Sequence, residues 1–457
     1  MRTVTALPLA ASAGDATGGW DGCGIVAVLG AMALAVLDAA IANVALPTIG
    51  RSLAVTPAMA IRVVTAYQLG VVIMLLPAAA LGESIGLRRV FTAGVVLFTG
   101  ASLLCTFAPS LTWLVAARFL QGIGGAAIMA LGIALLRFIV PPHQLGTAIG
   151  WNALVVALSS AAGPMIGAAI ITVGSWPWLF VINLPTGALV LLATRTVPAL
   201  EGTGRSLNLG SVVLNTATFA LLMIGAEYAA SRPIVTATMF AGALSTGAML
   251  FGREGHSEAP LLPVDLLRMS SFRVSVIASI LCFAGQTAAL VALPFHLQHA
   301  FGLSPLMTAL YLLPWPLTVT LAGPLAGRLA NHASTAWLCF IGGLLLASGL
   351  GATAMVPGYY QPAAIGLCMM ICGLGFGLFN VPNNRNMFMS APIERSGAAG
   401  GMQGVARLTG QIAGALQMTF LFAFASLAVA PRIGLAIGAL MTLASGATSI
   451  LRLQPVE

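Results

Sequence analysis

The first residue in this sequence whose type and place suggest chemistry is an aspartate. Asp38 stands in "LDAAIANVALP", Leu37 to Pro47, with only apolar or small neighbours for more than a helical turn on either side. A carboxylate inside a membrane-length segment is costly, and such residues mark ion or substrate pathways. On a helix its companions at −7, −3, +4 and +7 are Ala31, Ala35, Ala42 and Ala45, a small-residue stripe along which another helix can approach. The carboxylate therefore faces protein. Burial and a nearby cation act on its charge in opposite senses, so its protonation can follow its surroundings. A permanent ion pair acting as glue is the alternative.

Arg118 is the natural candidate to meet it, and Arg407 a weaker one. Arg118, in "RFLQGIGGAA", shares a face with Gln121, Gly122 and Gly125, which makes a polar groove open to close backbone approach. Arg407, in "GVARLTGQIAG", enters its segment only a few residues from one end. It is either a second buried charged site or a side chain that snorkels to the surface.

In "SSAAGPMIGAA" a small residue recurs every four positions as Ser159, Gly163 and Gly167, while Pro164 removes an N–H and presses on the carbonyl of Ser160. The pattern predicts a bent, tightly packed helix that acts as a seal or pivot, or a packing motif alone. The turn "LGESIGLRRV" carries Glu83, Gly86, Arg88 and Arg89. Charges of both signs in so short a loop can latch one helix bundle to another, or merely decorate the surface. His296 and His299 lie together near a segment end and read as an interfacial cap.

The elements that must hold these residues are membrane helices. The chain has 457 residues, 59% hydrophobic and 7% charged, with a mean hydropathy of +1.01. That leaves too little polar surface to cover a soluble globule. Apolar runs predict fourteen spans, near 23–46, 61–82, 88–108, 111–138, 147–172, 177–196, 209–229, 234–252, 273–297, 305–327, 335–355, 361–381, 399–427 and 432–451. The longest polar connection, 252–273, follows the eighth. The expected organisation is a leader over 1–22, six helices over 23–198, two linker helices over 199–258 and six helices over 259–457. With both termini in the cytoplasm, thirteen arginines fall inside and only Arg51, Arg62, Arg232 and Arg432 outside, the asymmetry that orients membrane proteins. The leader's "TALPLAASAGDA" is too short for a signal peptide and reads as a cytoplasmic extension.

Composition also excludes. All nineteen basic residues are arginine, scattered along the chain with Arg88 and Arg89 as an adjacent pair, so there is no nucleic-acid patch. The absence of lysine removes the phosphate loop of ATP-driven pumps. The six cysteines sit in apolar segments as small hydrophobes, and no metal-ligand spacing appears. No nucleophile stands with a base, so the chain reads as no enzyme. It needs no cofactor, and uphill work would draw on an ion gradient.

Together these motifs resemble the major facilitator superfamily, and within it the fourteen-helix drug:proton antiporters. "LDAAIANVALP" is similar to that group's first-helix signature, whose proton-coupling acid matches Asp38. Arg118, with Gln121 and Gly122, matches the fourth-helix arginine motif implicated in proton transfer, and Ser159 to Ala168 the fifth-helix antiporter motif. "VVTAYQL", "SWPWLFVINLPTG", "GFGLFNVPNN" and "GAAGGMQGVARLTGQIAGAL" look like other parts of the group. The latch loop departs from it, with Glu83 for the usual Asp and Leu87 for a base. So do Arg62 and Pro177, and the segment 305–327 holds no acid. The resemblance implies an all-α fold of two six-helix bundles with two intervening helices and a midplane substrate site. It also implies a monomeric exporter in the cell (inner) membrane that trades protons for lipophilic small molecules. A dedicated exporter of one metabolite, or a non-transporting receptor or scaffold, is the alternative. Polar or aromatic residues of the central helices then become candidate cavity residues: Tyr67, Gln68, Gln121, Gln286, Tyr311, Trp315, Phe376 and Asn380.

Overall fold

Lipid offers no partner to backbone N–H and C=O groups, so a chain this apolar must satisfy them within helices or a closed barrel. The computed structural model is helical. It describes residues 22–453 apart from 56, 200, 205–207, 229–231, 255–260, 262, 304, 357–362 and 427–428; all but the last residue of the expected leader lies outside.

The order begins with α1 Gly22–Ser52, α2 Pro57–Ile85, α3 Leu87–Thr106, α4 Leu111–Ile139 and α5 Leu145–Val173. A short α6 Trp178–Val181 and α7 Asn183–Ala193 together take the sixth place. Then come α8 Leu209–Tyr228, α9 Pro233–Glu254 and the short α10 Val264–Arg268. The last group is α11 Ser270–Ala300, α12 Pro305–Leu312, α13 Pro314–His332, α14 Thr335–Met355, α15 Ala363–Ser390, α16 Ser396–Phe424 and α17 Ala430–Ile450. Ser110 caps α4 by accepting the Trp113 N–H at 3.3 Å. The helix expected over 305–327 is two helices, because Pro314 has no N–H to continue α12 and instead opens α13.

Eleven helices among the described residues are long and apolar enough to cross a membrane, against the fourteen expected. Helix α8, the split α12–α13 pair and α16 fall outside that measure among the described residues; the apolar stretch measured in α8 is Leu209–Gly225. The protein is nonetheless a membrane protein on these spans.

Helices α1–α7 pack among themselves, as do α11–α17, and α8 and α9 pair with each other. Asn215 on α8 donates to the Ile73 carbonyl of α2 at 2.8 Å and so ties the pair to the first group. The two groups meet where α5 packs on α13 and α16 on α2 and α4. Much of this contact lies at the arginine-rich end, where α2, α4, α13 and α15 finish. There a Cβ on Gly146 would lie 2.7 Å from the Gly327 carbonyl, and one on Gly150 2.6 Å from that of Gly323. No larger residue fits that approach. Arg137 reinforces it from α4, donating to the Ser396 hydroxyl and the Ala391 carbonyl at 3.0 Å each and to the Pro392 carbonyl at 3.3 Å.

Candidate functional site

The first site is assembled by backbone proximity. A Cβ on Gly122 would collide with the Tyr67 carbonyl, and one on Gly70 with that of Phe119, so α2 and α4 run nearly in contact. This carries the Tyr67 ring over the Arg118 guanidinium, 4.4 Å from carbon to centroid, with Phe180 of α6 on the same cation at 5.6 Å. The Tyr67 hydroxyl donates to the Ala35 carbonyl at 3.4 Å.

Asp38 and Arg118 meet in this enclosure, 2% and 0% exposed. Arg118 Nη1 donates to Asp38 Oδ2 at 2.5 Å and to Gln121 Oε1 at 2.5 Å, while Nε donates to the Val63 carbonyl at 3.3 Å. The other carboxylate oxygen accepts from Gln121 Nε2 at 2.9 Å and Asn183 Nδ2 at 2.6 Å. Ser102 Oγ closes the cluster, accepting from Gln121 at 2.8 Å and Asn183 at 3.3 Å and donating to the Phe98 carbonyl. Three donors converge on this carboxylate, and removal of its charge would leave the arginine uncompensated. Arg118 Nη2 and Asn183 Oδ1 are buried without a partner.

The sequence pairing of Asp38 with Arg118 and Gln121 is therefore brought together, and Asn183 and Ser102 were missed. Asn183 lay within "SWPWLFVINLPTG" as the polar residue of an apolar helix; Ser102 gave no signal, since serine is ordinary in such segments. On α5, Gly163 lies against Ala40 and Gly167 against Ile41, so this motif packs on α1 one turn beyond Asp38. Ser159 is half-buried, and the side chain of Pro164 lies outside the described residues.

A second charged cluster crosses the arginine-rich end. Glu83 Oε2 accepts from Arg395 Nη1 at 2.5 Å, and Oε1 from the Ala398 N–H at 2.6 Å. Arg395 also grips Asp265 of α10 with Nε and Nη2, at 2.9 and 3.0 Å. The expected latch is corrected here: Glu83 reaches across to Arg395, whereas Arg88 and Arg89 form no ion pair among the described residues. They lie beyond the turn that Gly86 makes at φ 112° and head α3 away from the crossing. Arg395 and Asp265 were missed because loop charges carry no sign of their partners.

Between the two groups lies a cavity of about 640 Å³. Of the eight residues expected to line it, Gln286, Trp315, Phe376 and Asn380 do. The other four are corrected. Tyr67 and Gln121 are consumed by the ion-pair cluster, Tyr311 packs on the core of the second group, and Gln68 is exposed outside the wall. Asn152, Asn384, Gln403 and Gln411 line it unforeseen, although three of them stand in quoted motifs. Arg407 resolves toward the interior: it faces the cavity, with Nε enclosed and unpartnered. At the far end of α11, His296 is 2% exposed beside Phe301, a buried ring and no surface cap; the side chain of His299 lies outside the described residues.

A helical membrane protein in two packed groups, with a cavity between them and a buried ion pair beside it, has the architecture of a transporter. Residues 28–416 match the Major Facilitator Superfamily, and the chain belongs to that family of transporters. It is 44% identical over 400 residues to the uncharacterized transporter YebQ of Escherichia coli (strain K12), covering 86% of this chain and 87% of that protein. It is 30% identical over 385 residues to the multidrug resistance protein Stp of Mycobacterium tuberculosis (strain CDC 1551 / Oshkosh), covering 83% and 71%. Among solved structures the human organic anion transporter MFSD10 superposes with a TM-score of 0.71 over 93% of this chain and 99% of that one; at 14% identity the likeness is one of fold.

Proposed function

We propose that the protein is a proton-coupled exporter of lipophilic small molecules, a fourteen-span member of the drug:proton antiporters, monomeric in the cell inner membrane with both termini cytoplasmic. The observation that carries this is the buried Asp38 carboxylate, held by Arg118, Gln121 and Asn183 beside, and not in, the wall of the cavity. A carboxylate needed only for substrate recognition would face the cavity. One that switches charge needs a partner whose hold depends on that charge.

The orientation rests on the arginine asymmetry, which assigns the sealed, arginine-rich end to the cytoplasm. The structure then corresponds to a conformation closed toward the cytoplasm. A proton arriving from outside neutralises Asp38, cancels its attraction to Arg118 and frees α1 to move against α5, whose Gly163 and Gly167 slide along it. Return to the cytoplasm-facing form lets Asp38 lose the proton as substrate enters. The order follows from the cost of carrying a bare carboxylate through a closed apolar site. Relatives named for multidrug resistance support the lipophilic substrate class.

The test is proton movement in proteoliposomes under an imposed pH gradient, with a panel of lipophilic cations, neutral aromatic compounds and aromatic carboxylates. Wild type should show substrate-dependent proton flux, and Asp38→Asn should insert and fold yet show none. Gradient-driven efflux retained by Asp38→Asn would remove this carboxylate from the mechanism.

A further inference from the structure

The cavity carries a charge that no described residue neutralises. Arg407, on the α16 wall, has no ion-pair partner among the described residues, and its Nε is enclosed without a hydrogen-bond acceptor. No acid is within easy reach. The sequence has no Asp or Glu between Asp265 and Glu394, and none from there to Glu457, so the membrane helices α11–α17 hold no carboxylate at all. In the other half Asp38 is committed to Arg118, Gln121 and Asn183, and Glu83 to Arg395 and the Ala398 N–H. Tyr67 lies near enough to interact with Arg407, but its hydroxyl donates to the Ala35 carbonyl and offers no negative charge. A guanidinium in an apolar bundle is costly without a counter-charge, and such residues persist where function needs them.

The rest of the lining is consistent in kind. Asn152 and Asn384 are 6% and 4% exposed, and each has a side-chain oxygen with no partner; the Asn384 amide N–H bonds Asn380 at 3.2 Å. Trp315, Phe283 and Phe376 add flat apolar surface, the two phenylalanines meeting edge to face at 5.6 Å. The site therefore offers a planar fork of charged donors on one wall, unfilled amide acceptors on others and aromatic faces between.

Resting on the transport reading above, we infer that this cavity selects flat aromatic compounds bearing an anionic acceptor, a carboxylate or an ionised phenol or imide, and disfavours permanent cations. An anionic oxygen pair fits the guanidinium fork in bidentate fashion and supplies the counter-charge the protein withholds. Donor groups elsewhere on the ligand satisfy Asn152 and Asn384. A quaternary ammonium meets a like charge and no acid.

Binding distinguishes this from its alternatives. The full chain in lipid nanodiscs is titrated with three fluorescent probes on one ring system: anthracene carboxylate, the matching carboxamide and the matching trimethylammonium derivative. The carboxylate should bind at least about tenfold more tightly than the ammonium. Arg407→Gln should abolish that preference, and Arg407→Lys should restore part of it. Equal or tighter binding of the ammonium overturns the assignment. So does a carboxylate preference that survives Arg407→Gln, or the failure of all three probes to bind protein shown folded by circular dichroism. The transport reading fails separately. A carboxylate preference without proton flux in vesicles would overturn antiport and leave the site standing, whereas flux driven by the ammonium probe would do the reverse.

Discussion

Arg118 of α4 and Arg407 of α16 belong to helices that pack against each other, one from each half of the molecule; Arg118 is fully buried and Arg407 half-buried at the cavity wall. Arg118 is surrounded by what a guanidinium wants, a carboxylate at 2.5 Å, two carbonyl-type acceptors and two aromatic faces. Arg407 has none of these acceptors and opens on the cavity instead. The difference teaches what each charge is for. A cation neutralised inside the protein holds a conformation until its partner changes charge, whereas one left without a partner waits for a ligand to complete it. The Tyr67 ring covers Arg118 at 4.4 Å, on the side of the ion pair and not of the cavity wall.

The contrast breaks most visibly in stability. Arg118→Ala strands the Asp38 carboxylate and should destabilise the protein by about 3–5 kcal/mol, whereas Arg407→Met replaces an uncompensated cation with an apolar side chain and should be neutral or stabilising. Thermal unfolding in detergent without added substrate reads both; a large loss for Arg407→Met would mean that the arginine has a partner in the membrane.

A smaller effect is expected where the halves meet. A side chain at Gly400 collides with the Ala130 carbonyl. Gly400→Val should therefore open the arginine-rich end, raising the labelling rate of a cysteine placed at Ala399 several-fold over that in wild type. An unchanged rate would show that the seal lies elsewhere.

The latch separates into a stronger and a weaker part. Glu83 and Arg395 are largely buried, and Glu83→Gln should bias the same labelling assay toward the open form by about 1–2 kcal/mol. Asp265 is half exposed, so Asp265→Ala should shift it by less than about 1 kcal/mol. Equal effects would mean that α10 is an integral part of the seal.

Asp38 and Arg118 were legible in the sequence because charge is rare in these segments and each had a small-residue face that pointed inward. The spans were legible for the related reason that lipid admits only self-satisfied backbone. The cavity residues were half legible: polar and aromatic side chains announce that they need company but not whose. Tyr67 and Gln121 were assigned to the cavity although they serve the ion pair, because a polar side chain on a central helix does not say which inward direction it takes, and the rotation of α2 against α4 is fixed by contact at Gly70 and Gly122.

By itself, the sequence determined that this is a helical membrane protein, which end carries its arginines, that Asp38 is its one acid deep within a span, and that its second half has no membrane-embedded acid. Composition and spacing suffice for these, since the cost of charge in hydrocarbon does not depend on neighbours. Only the tertiary structure decided the geometry of the Asp38–Arg118 pair, that Asn183 and Ser102 complete its shell, that Glu83 reaches Arg395 across the chain, and that Arg407 faces a cavity with no ion-pair partner among the described residues. Pairing is settled by which helices can approach closely and at what rotation. Residues 80 positions apart for Asp38 and Arg118, and 312 apart for Glu83 and Arg395, are brought together by packing that no local pattern encodes.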